Sequence, residues 1–312
     1  MSFTVQVKKD LEKYYKLGEK ALSTAEELAI KSLNSDYAKA LKSVKSDIAD
    51  FMERYPDYDD MVAYKRLDKL RVEIARNIEA VTKAQVKKMP GFLGNSVTGG
   101  FNTSAYAMET STIGNITFAS FTDTPVALNK LNAYHKITWL DSTVENEAIT
   151  IKRMNSVISQ GTIEGESYST IAKNMSKQFG YAQYRMERIA RTEIGIAQSF
   201  GHKLAFDEAE KSNLTVSKGW IPVGGKRTRP NHEEMRTVKS QDVDGKIVFK
   251  FRTMNGNVIF VDGPHLTGTT DDINCRCRLI TEFDNISTEM DEALEYNKIS
   301  YEDFVARHSK TL

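Results

Sequence analysis

The chain has 312 residues, of which 40% are hydrophobic and 27% charged, and its formal net charge is +1 at pH 7. That length supports a real core and two domains, and the apolar content excludes large-scale disorder. A net charge so close to zero excludes a general attraction to nucleic acid or membrane, so any such role needs a local basic patch.

Cys275 and Cys277 are the two cysteines of the chain. One residue apart, they cannot staple distant segments together, and a disulfide between them would be strained. The expectation is a reducing compartment with thiols that are free or metal-bound. The N-terminal stretch Met1–Lys9 lacks the apolar core of a signal peptide, and no apolar run approaches the roughly 20 residues needed to cross a bilayer. These features predict a protein made and kept soluble in the cytoplasm, with no membrane partner.

The pattern predicts an α+β fold: a mainly α-helical N-terminal region, a small β-rich C-terminal module and an acidic, helical tail. Residues 1–90 read as helical. Leu11, Tyr15, Leu22, Ala25 and Ala29 recur at helical spacing, and Tyr37, Ala40, Leu41, Val44, Ile48, Phe51, Met52 and Tyr55 mark one apolar stripe. Asn34–Asp36 either cap a second helix or lie within one. Tyr55-Pro56 predicts a stop, and a further stripe includes Met61, Tyr64, Leu67, Ile74, Ile78 and Val81. Heptads this short and irregular favour antiparallel helices over a coiled coil. Residues 91–103, with Gly91, Gly94, Gly99 and Gly100, predict a loop or hinge, and they lack the Gly-Lys-Ser/Thr ending of a phosphate loop.

Residues 104–212 predict a second helical region. Helix is expected from about Val144 to Ser159, with breaks at Gly161 and Gly165, then a short helix ended by Gly180, then a long helix over Ala182–Lys211. His135 reads as structural. Arg191 and Glu193 stand on different faces of the long helix, and a structural ion pair with the following domain is the preferred reading. Residues 213–282 predict the β module. Met254-Asn255-Gly256-Asn257 signals a type I′ hairpin between Lys246–Thr253 and Val258–Asp262, and Cys275–Thr281 reads as a further strand. Residues 283–312 form the acidic tail.

Chemistry concentrates between Trp220 and Leu279. Lys218, Lys226, Arg227, Arg229, Arg236, Lys239, Lys246, Lys250 and Arg252 make a local positive surface. Two readings stand: contact with DNA backbone or an acidic neighbouring subunit, or a solvated loop with internal ion pairs. In an extended strand Cys275 and Cys277 share one face, with Arg276 and Arg278 on the other. Two further ligands complete a tetrahedral zinc site, and His232 and His265 are the candidates. A structural zinc, buried reduced cysteines without metal, and a redox pair all fit the spacing. A catalytic zinc with Glu233 or Glu234 as base is a further reading, that of a metal-dependent nuclease or hydrolase. No complete acid, base and nucleophile set emerges, and no small-molecule substrate is implied.

Taken in order, Ala190-Arg191-Thr192-Glu193, Trp220, Arg227-Thr228-Arg229-Pro230-Asn231-His232 and Asn274-Cys275-Arg276-Cys277 resemble the phage Mu F-like head-morphogenesis, or minor capsid, proteins. The resemblance covers roughly residues 145–280. It implies a non-enzymatic minor head protein of a tailed phage or prophage. Such a protein associates with the portal and other procapsid or scaffold components, then resides in the procapsid or virion head and influences DNA packaging or delivery. It also implies a metal-site role for His232, Cys275 and Cys277, and a structural role for the signature residues Arg191, Glu193 and Trp220. On this reading Lys226, Arg227, Arg229, Arg236 and Arg276 are the contacts to DNA or partner.

Overall fold

Three long helices dominate the computed structural model of the protein, which describes residues 3–57, 65–111, 117–135, 138–212, 217–222, 228–282 and 300–307. They are α1 (Phe3–Arg54), α2 (Arg66–Ser111) and α5 (Tyr168–Lys211). Between α2 and α5 lie α3 (Thr124–Tyr134) and α4 (Trp139–Ile163). The β module follows, with β1 (Ser217–Ile221), a single-turn helix α6 (Pro230–Glu234), β2 (Gln241–Val243), β3 (Lys246–Arg252), β4 (Val258–Val261) and β5 (Arg278–Glu282). A short helix, α7 (Tyr301–Arg307), comes last. The predicted α+β class is therefore what the chain adopts. Among the described residues no helix is long and apolar enough to cross a membrane.

The fold divides into two units. One comprises Leu28–Pro90 and Ile137–Ala190 and packs segments of α1, α2, α4 and α5 around the predicted stripes. Leu33, Tyr37, Val44 and Ile48 meet Leu70, Ile74, Ile78 and Val81, with Met154, Ile158, Met175, Phe179 and Met186 completing the core. Polar ties fix the register of these helices. Lys88 reaches Asp36 at 2.7 Å, Asn34 donates to Glu187 at 2.7 Å, and Asn146 donates to the Tyr37 hydroxyl at 2.9 Å and to the Ala182 carbonyl at 3.0 Å. Asn34–Asp36 lie inside α1, and the helix ends at Arg54, ahead of Pro56 as the sequence predicts. Gly161 and Gly180 do not interrupt helices as expected; the real break is at Gly165, which alone of the three has a left-handed φ, of 67°.

The other unit comprises Met1–Glu27, Gly91–Lys136 and Arg191–Leu312. Here the predicted loop at 91–103 is corrected: these residues continue α2, with Pro90 inside the helix. The glycines serve close packing, not turning. A Cβ at Gly94 would overlap Thr124, one at Gly100 would overlap the Gln198 carbonyl oxygen, and one at Gly201 would overlap the Val97 carbonyl oxygen. The backbones of α2 and α5 thus meet along small residues. Two buried polar residues on this part of α2 have partners distant in sequence. Asn102 donates to the Phe121 carbonyl at 2.9 Å and accepts from its N–H at 2.7 Å, and Ser104 pairs with Nδ1 of His202 at 2.8 Å. Asp123 caps α3 by accepting from the Val126 N–H at 2.9 Å.

The β module holds two antiparallel sheets, β1–β5 and β2–β3–β4. Two hairpin turns join the strands of the second sheet. Asp244 and Gly245, with φ of 55° and 78°, form the two-residue turn between β2 and β3 that suits a type I′ geometry. At Met254–Asn257 only Gly256 is left-handed (φ 83°), and its N–H donates to the Thr253 carbonyl at 2.9 Å. That is a type I turn closed by a glycine bulge, so the type I′ prediction there is replaced. Of the acidic tail, 283–299 and 308–312 lie outside the described residues, whereas α7 is helical. Its Phe304 is buried against the Tyr106 ring at 5.6 Å, and its Tyr301 ring meets Tyr106 at 5.4 Å.

Candidate metal centre

The site is built on an aromatic floor. Trp220, on β1 opposite Leu279, stacks on Phe251 of β3 at 5.2 Å and meets the Phe249 ring edge-on at 5.6 Å. The residue pairing of β3 with β4 turns Phe249 and Phe251 inward together, as strand alternation requires. His232 comes from α6, which Pro230 opens at its first position, where the missing N–H costs nothing. Its ring lies edge-on to Trp220 at 5.8 Å and to Phe251 at 5.4 Å and is 1% exposed.

The cysteines face this histidine from the segment before β5. The predicted strand over Cys275–Thr281 starts only at Arg278; Asn274 has a left-handed φ of 53°, and Cys275 N–H closes a turn on the Asp272 carbonyl at 3.3 Å. The expected alternation nevertheless holds, with Cys275 and Cys277 buried and Arg276 exposed. Nδ1 of His232 lies 3.3 Å from Cys277 Sγ and 3.4 Å from Cys275 Sγ. Tetrahedral zinc with ordinary Zn–S and Zn–N lengths separates its nitrogen and sulfur donors by about 3.6 Å. The three donor atoms, all within 4.8 Å of one another, therefore fit one metal ion closely. Cys277 is held below the usual thiol range, first by the hydrogen bond from Cys275 and then by His232, against the opposing effect of burial. The same bond and burial push Cys275 up. Two adjacent thiols, one favoured as thiolate, beside an imidazole form a donor set suited to a soft metal ion.

His265, predicted as the fourth ligand, is not part of this group. Its Nε2 lies 3.0 Å from the Cys277 carbonyl oxygen. A carbonyl only accepts, so Nε2 carries the proton and is unavailable to a metal. Burial first, with Arg278 adding to it, pushes its pKa down to about 3. The ring sits against Gly195 of α5, where a Cβ would come within 2.7 Å of it, and His265 itself has a left-handed φ of 63°. It braces the backbone of one cysteine against the signature helix.

The residue that sequence reasoning missed is Asp271. It is 1% exposed, and its Oδ1 lies 3.6 Å from Nε2 of His232, on the far side of the ring from the thiols. Asn231 donates to Oδ1 at 2.8 Å; the Met254 N–H (3.3 Å) and the Thr269 hydroxyl (3.0 Å) donate to Oδ2. Burial alone would raise this carboxyl, but those donors hold it below its ordinary range. The available signal was a pair of acids, Asp271-Asp272, a few residues ahead of the cysteines.

The predicted contact arginines divide. Arg229 is engaged internally, donating to the carbonyls of Asp271 at 3.1 Å and Ile273 at 2.7 Å. Arg236 is exposed and paired with Glu233 at 2.7 Å, which also places the hydrolase reading's base at the surface. Arg276 is exposed, and Lys226 and Arg227 lie outside the described residues. Lys218, counted above with the positive surface, is buried instead, donating to the Ile247 carbonyl at 2.8 Å. Of the signature residues, Arg191 pairs with Glu26 at 3.2 Å, and Arg278 approaches the same carboxylate at 3.8 Å. Glu193 is buried, and between them Thr192 accepts the Asn274 N–H at 2.9 Å.

Comparison with known proteins adds three findings. Residues 152–280 match the family model described as phage Mu protein F like protein. The chain is 29% identical over 231 residues to the minor head protein GP7 of Bacillus phage SPP1, covering 73% of this chain and 71% of that protein. It is also 31% identical over 147 residues to the NAD(+)–arginine ADP-ribosyltransferase EFV of Enterococcus faecalis, covering 47% of this chain and 28% of that protein. No solved structure is a significant match. The segment that is similar to the phage Mu protein F-like family, residues 152–280, holds the Arg191–Gly195 helix, Trp220, the Arg229–His232 turn and the Cys275–Cys277 loop together.

Proposed function

We propose that the chain is a minor head component of a tailed bacteriophage or prophage, acting in head assembly without catalysing a reaction. The observation that carries this reading is the likeness to a minor head protein over 73% of the chain. The site supports it. The groups best able to do chemistry are buried and bonded to one another, and Glu233, the acid a hydrolase would need, is engaged with Arg236. The segment shared with the ADP-ribosyltransferase is 28% of that protein, and this reading takes no activity from it. The partners are the portal and other procapsid or scaffold proteins, met in the host cytoplasm during assembly. The chain then resides in the procapsid or virion head. Contact with DNA phosphate falls to Arg276, Arg236, Lys226 and Arg227.

The metal in this reading is a structural zinc held by His232, Cys275 and Cys277. Its contribution when bound is to tie α6 to the segment before β5, in a module whose core is small. Cys275→Ser is expected to lose one equivalent of zinc and melt at a lower temperature; an unchanged zinc content removes the metal from the proposal. Co-expression with the portal protein of the same genome tests the function. Co-elution with the portal oligomer is the expected result. Failure to associate with portal or procapsid, together with DNA cleavage lost in His232→Ala, overturns it in favour of a hydrolase.

A further inference from the structure

The geometry points to Asp271 as the positioning residue of the metal centre, fixing His232 in the tautomer that offers Nδ1 to the ion. The inference rests on reading His232, Cys275 and Cys277 as metal ligands. Nδ1 is the ring nitrogen within reach of both thiols, at 3.3 and 3.4 Å. A neutral imidazole that gives one nitrogen to a metal carries its proton on the other. That nitrogen, Nε2, is buried and has no hydrogen-bond partner among the described residues, yet it faces Asp271 Oδ1 at 3.6 Å. A buried N–H needs an acceptor, and a small approach of this carboxylate supplies one.

Asp271 is prepared for that role. Three donors hold its two oxygens: the Asn231 side chain, the Met254 N–H and the Thr269 hydroxyl. Arg229 holds its backbone carbonyl. Three residues of the Arg229-Pro230-Asn231-His232 turn are thereby directed at one aspartate: Arg229 at its main chain, Asn231 and His232 at its carboxylate. A carboxylate so placed also raises the basicity of the ligating nitrogen, which strengthens the metal bond.

The test uses the full chain, with Co(II) as a visible probe, Zn(II) affinity from chelator competition, and 15N-histidine spectra of the zinc form. Wild type is expected to give thiolate-to-cobalt charge-transfer absorption and a zinc-loaded His232 protonated at Nε2. Asp271→Ala is expected to bind zinc about 10- to 100-fold more weakly. Asp271→Asn, whose amide oxygen still accepts from Nε2, is expected to fall between. Equal affinity in all three proteins, or a zinc-loaded His232 protonated at Nδ1, overturns the role of Asp271. No cobalt spectrum in wild type removes the metal site itself and the inference with it, whereas a wild-type spectrum with an unaffected Asp271→Ala variant removes the inference alone. Should Asp271→Ala not fold, Asp271→Asn and the wild-type tautomer decide the matter. Loss of stability alone weakens apparent affinity but does not move the tautomer, so the zinc-loaded His232 tautomer separates positioning from folding.

Discussion

Replacing Gly201 with alanine tests whether α2 and α5 are in backbone contact. A Cβ there would lie 2.8 Å from the Phe101 nitrogen and 2.9 Å from the Val97 carbonyl carbon, and closer still to the Val97 oxygen. Ordinary contact begins at 3.4 Å, and every one of these atoms is main chain, which cannot rotate aside. The helices must therefore separate, loosening Val97, Phe101 and Phe206, all essentially inaccessible to solvent. Forcing a methyl group into a packed core typically costs about 1–3 kcal/mol, and rigid backbone on the opposing side puts this case at the upper end. Against that, alanine is favoured over glycine in a helix by about 1 kcal/mol. The expected net loss is about 2 kcal/mol, read as a lowered denaturation midpoint with an unchanged slope. Gly91→Ala, in the same unit and on α2, is the control. It is exposed, a Cβ meets nothing within 4 Å, and it should stabilise by up to about 1 kcal/mol. If Gly201→Ala is as harmless as Gly91→Ala, the close crossing is wrong and the loop reading of 91–103 regains its ground.

Three further outcomes follow from the same physics. Burial, with Arg278 adding to it, pushes the His202 imidazole from its ordinary 6.5 down to about 3. Its contribution is therefore intact above pH 6.5 and is lost as pH falls from 6.5 toward 3, where the unfolded chain takes up a proton that the folded one refuses. The expected slope is up to about 1.4 kcal/mol per pH unit, shallower by about one proton in His202→Asn; identical slopes in denaturation series refute it. Arg229→Ala removes two charge-assisted bonds to loop carbonyls, one part-buried and one exposed, and should cost about 1–2 kcal/mol by chemical denaturation, with Arg229→Lys failing to restore it because an ammonium cannot span both acceptors. Gly245→Ala must hold a left-handed φ of 78° and should destabilise by about 1 kcal/mol, whereas a neutral result would mean the turn can change type.

Helices were legible wherever burial follows a period. The stripe from Tyr37 to Ile48 faces inward as predicted because a single-sided helix advertises that side in its sequence. Gly94 and Gly100 were not legible, since composition alone cannot separate a glycine that turns the chain from one that admits another backbone. That distinction belongs to Thr124 and Gln198, distant in sequence. His232, Cys275 and Cys277 could be nominated from donor chemistry. His265 was misplaced for a related reason: its candidacy rested on residue type, while its ring orientation is set by Gly195 and the Cys277 carbonyl. Arg229 and Lys218 show the same limit for charge, because a cation that satisfies internal carbonyls looks in sequence like one that faces solvent.

The scattered signature becomes intelligible once each residue is assigned to what it holds. Gly195 gives His265 room, His265 bonds the Cys277 carbonyl, and Thr192 accepts from Asn274 ahead of Cys275. Arg191 and Arg278 share Glu26, so the helix bearing Thr192 and the strand following Cys277 are anchored to one carboxylate. From the opposite side Arg229 and Asn231 fix Asp271, Trp220 and Phe251 wall the imidazole, and His232 meets both thiols. Only three of these residues present donor atoms to a metal, and the rest determine where those atoms stand. The signature is in this sense a frame around three donor atoms, not a set of independent reactive groups.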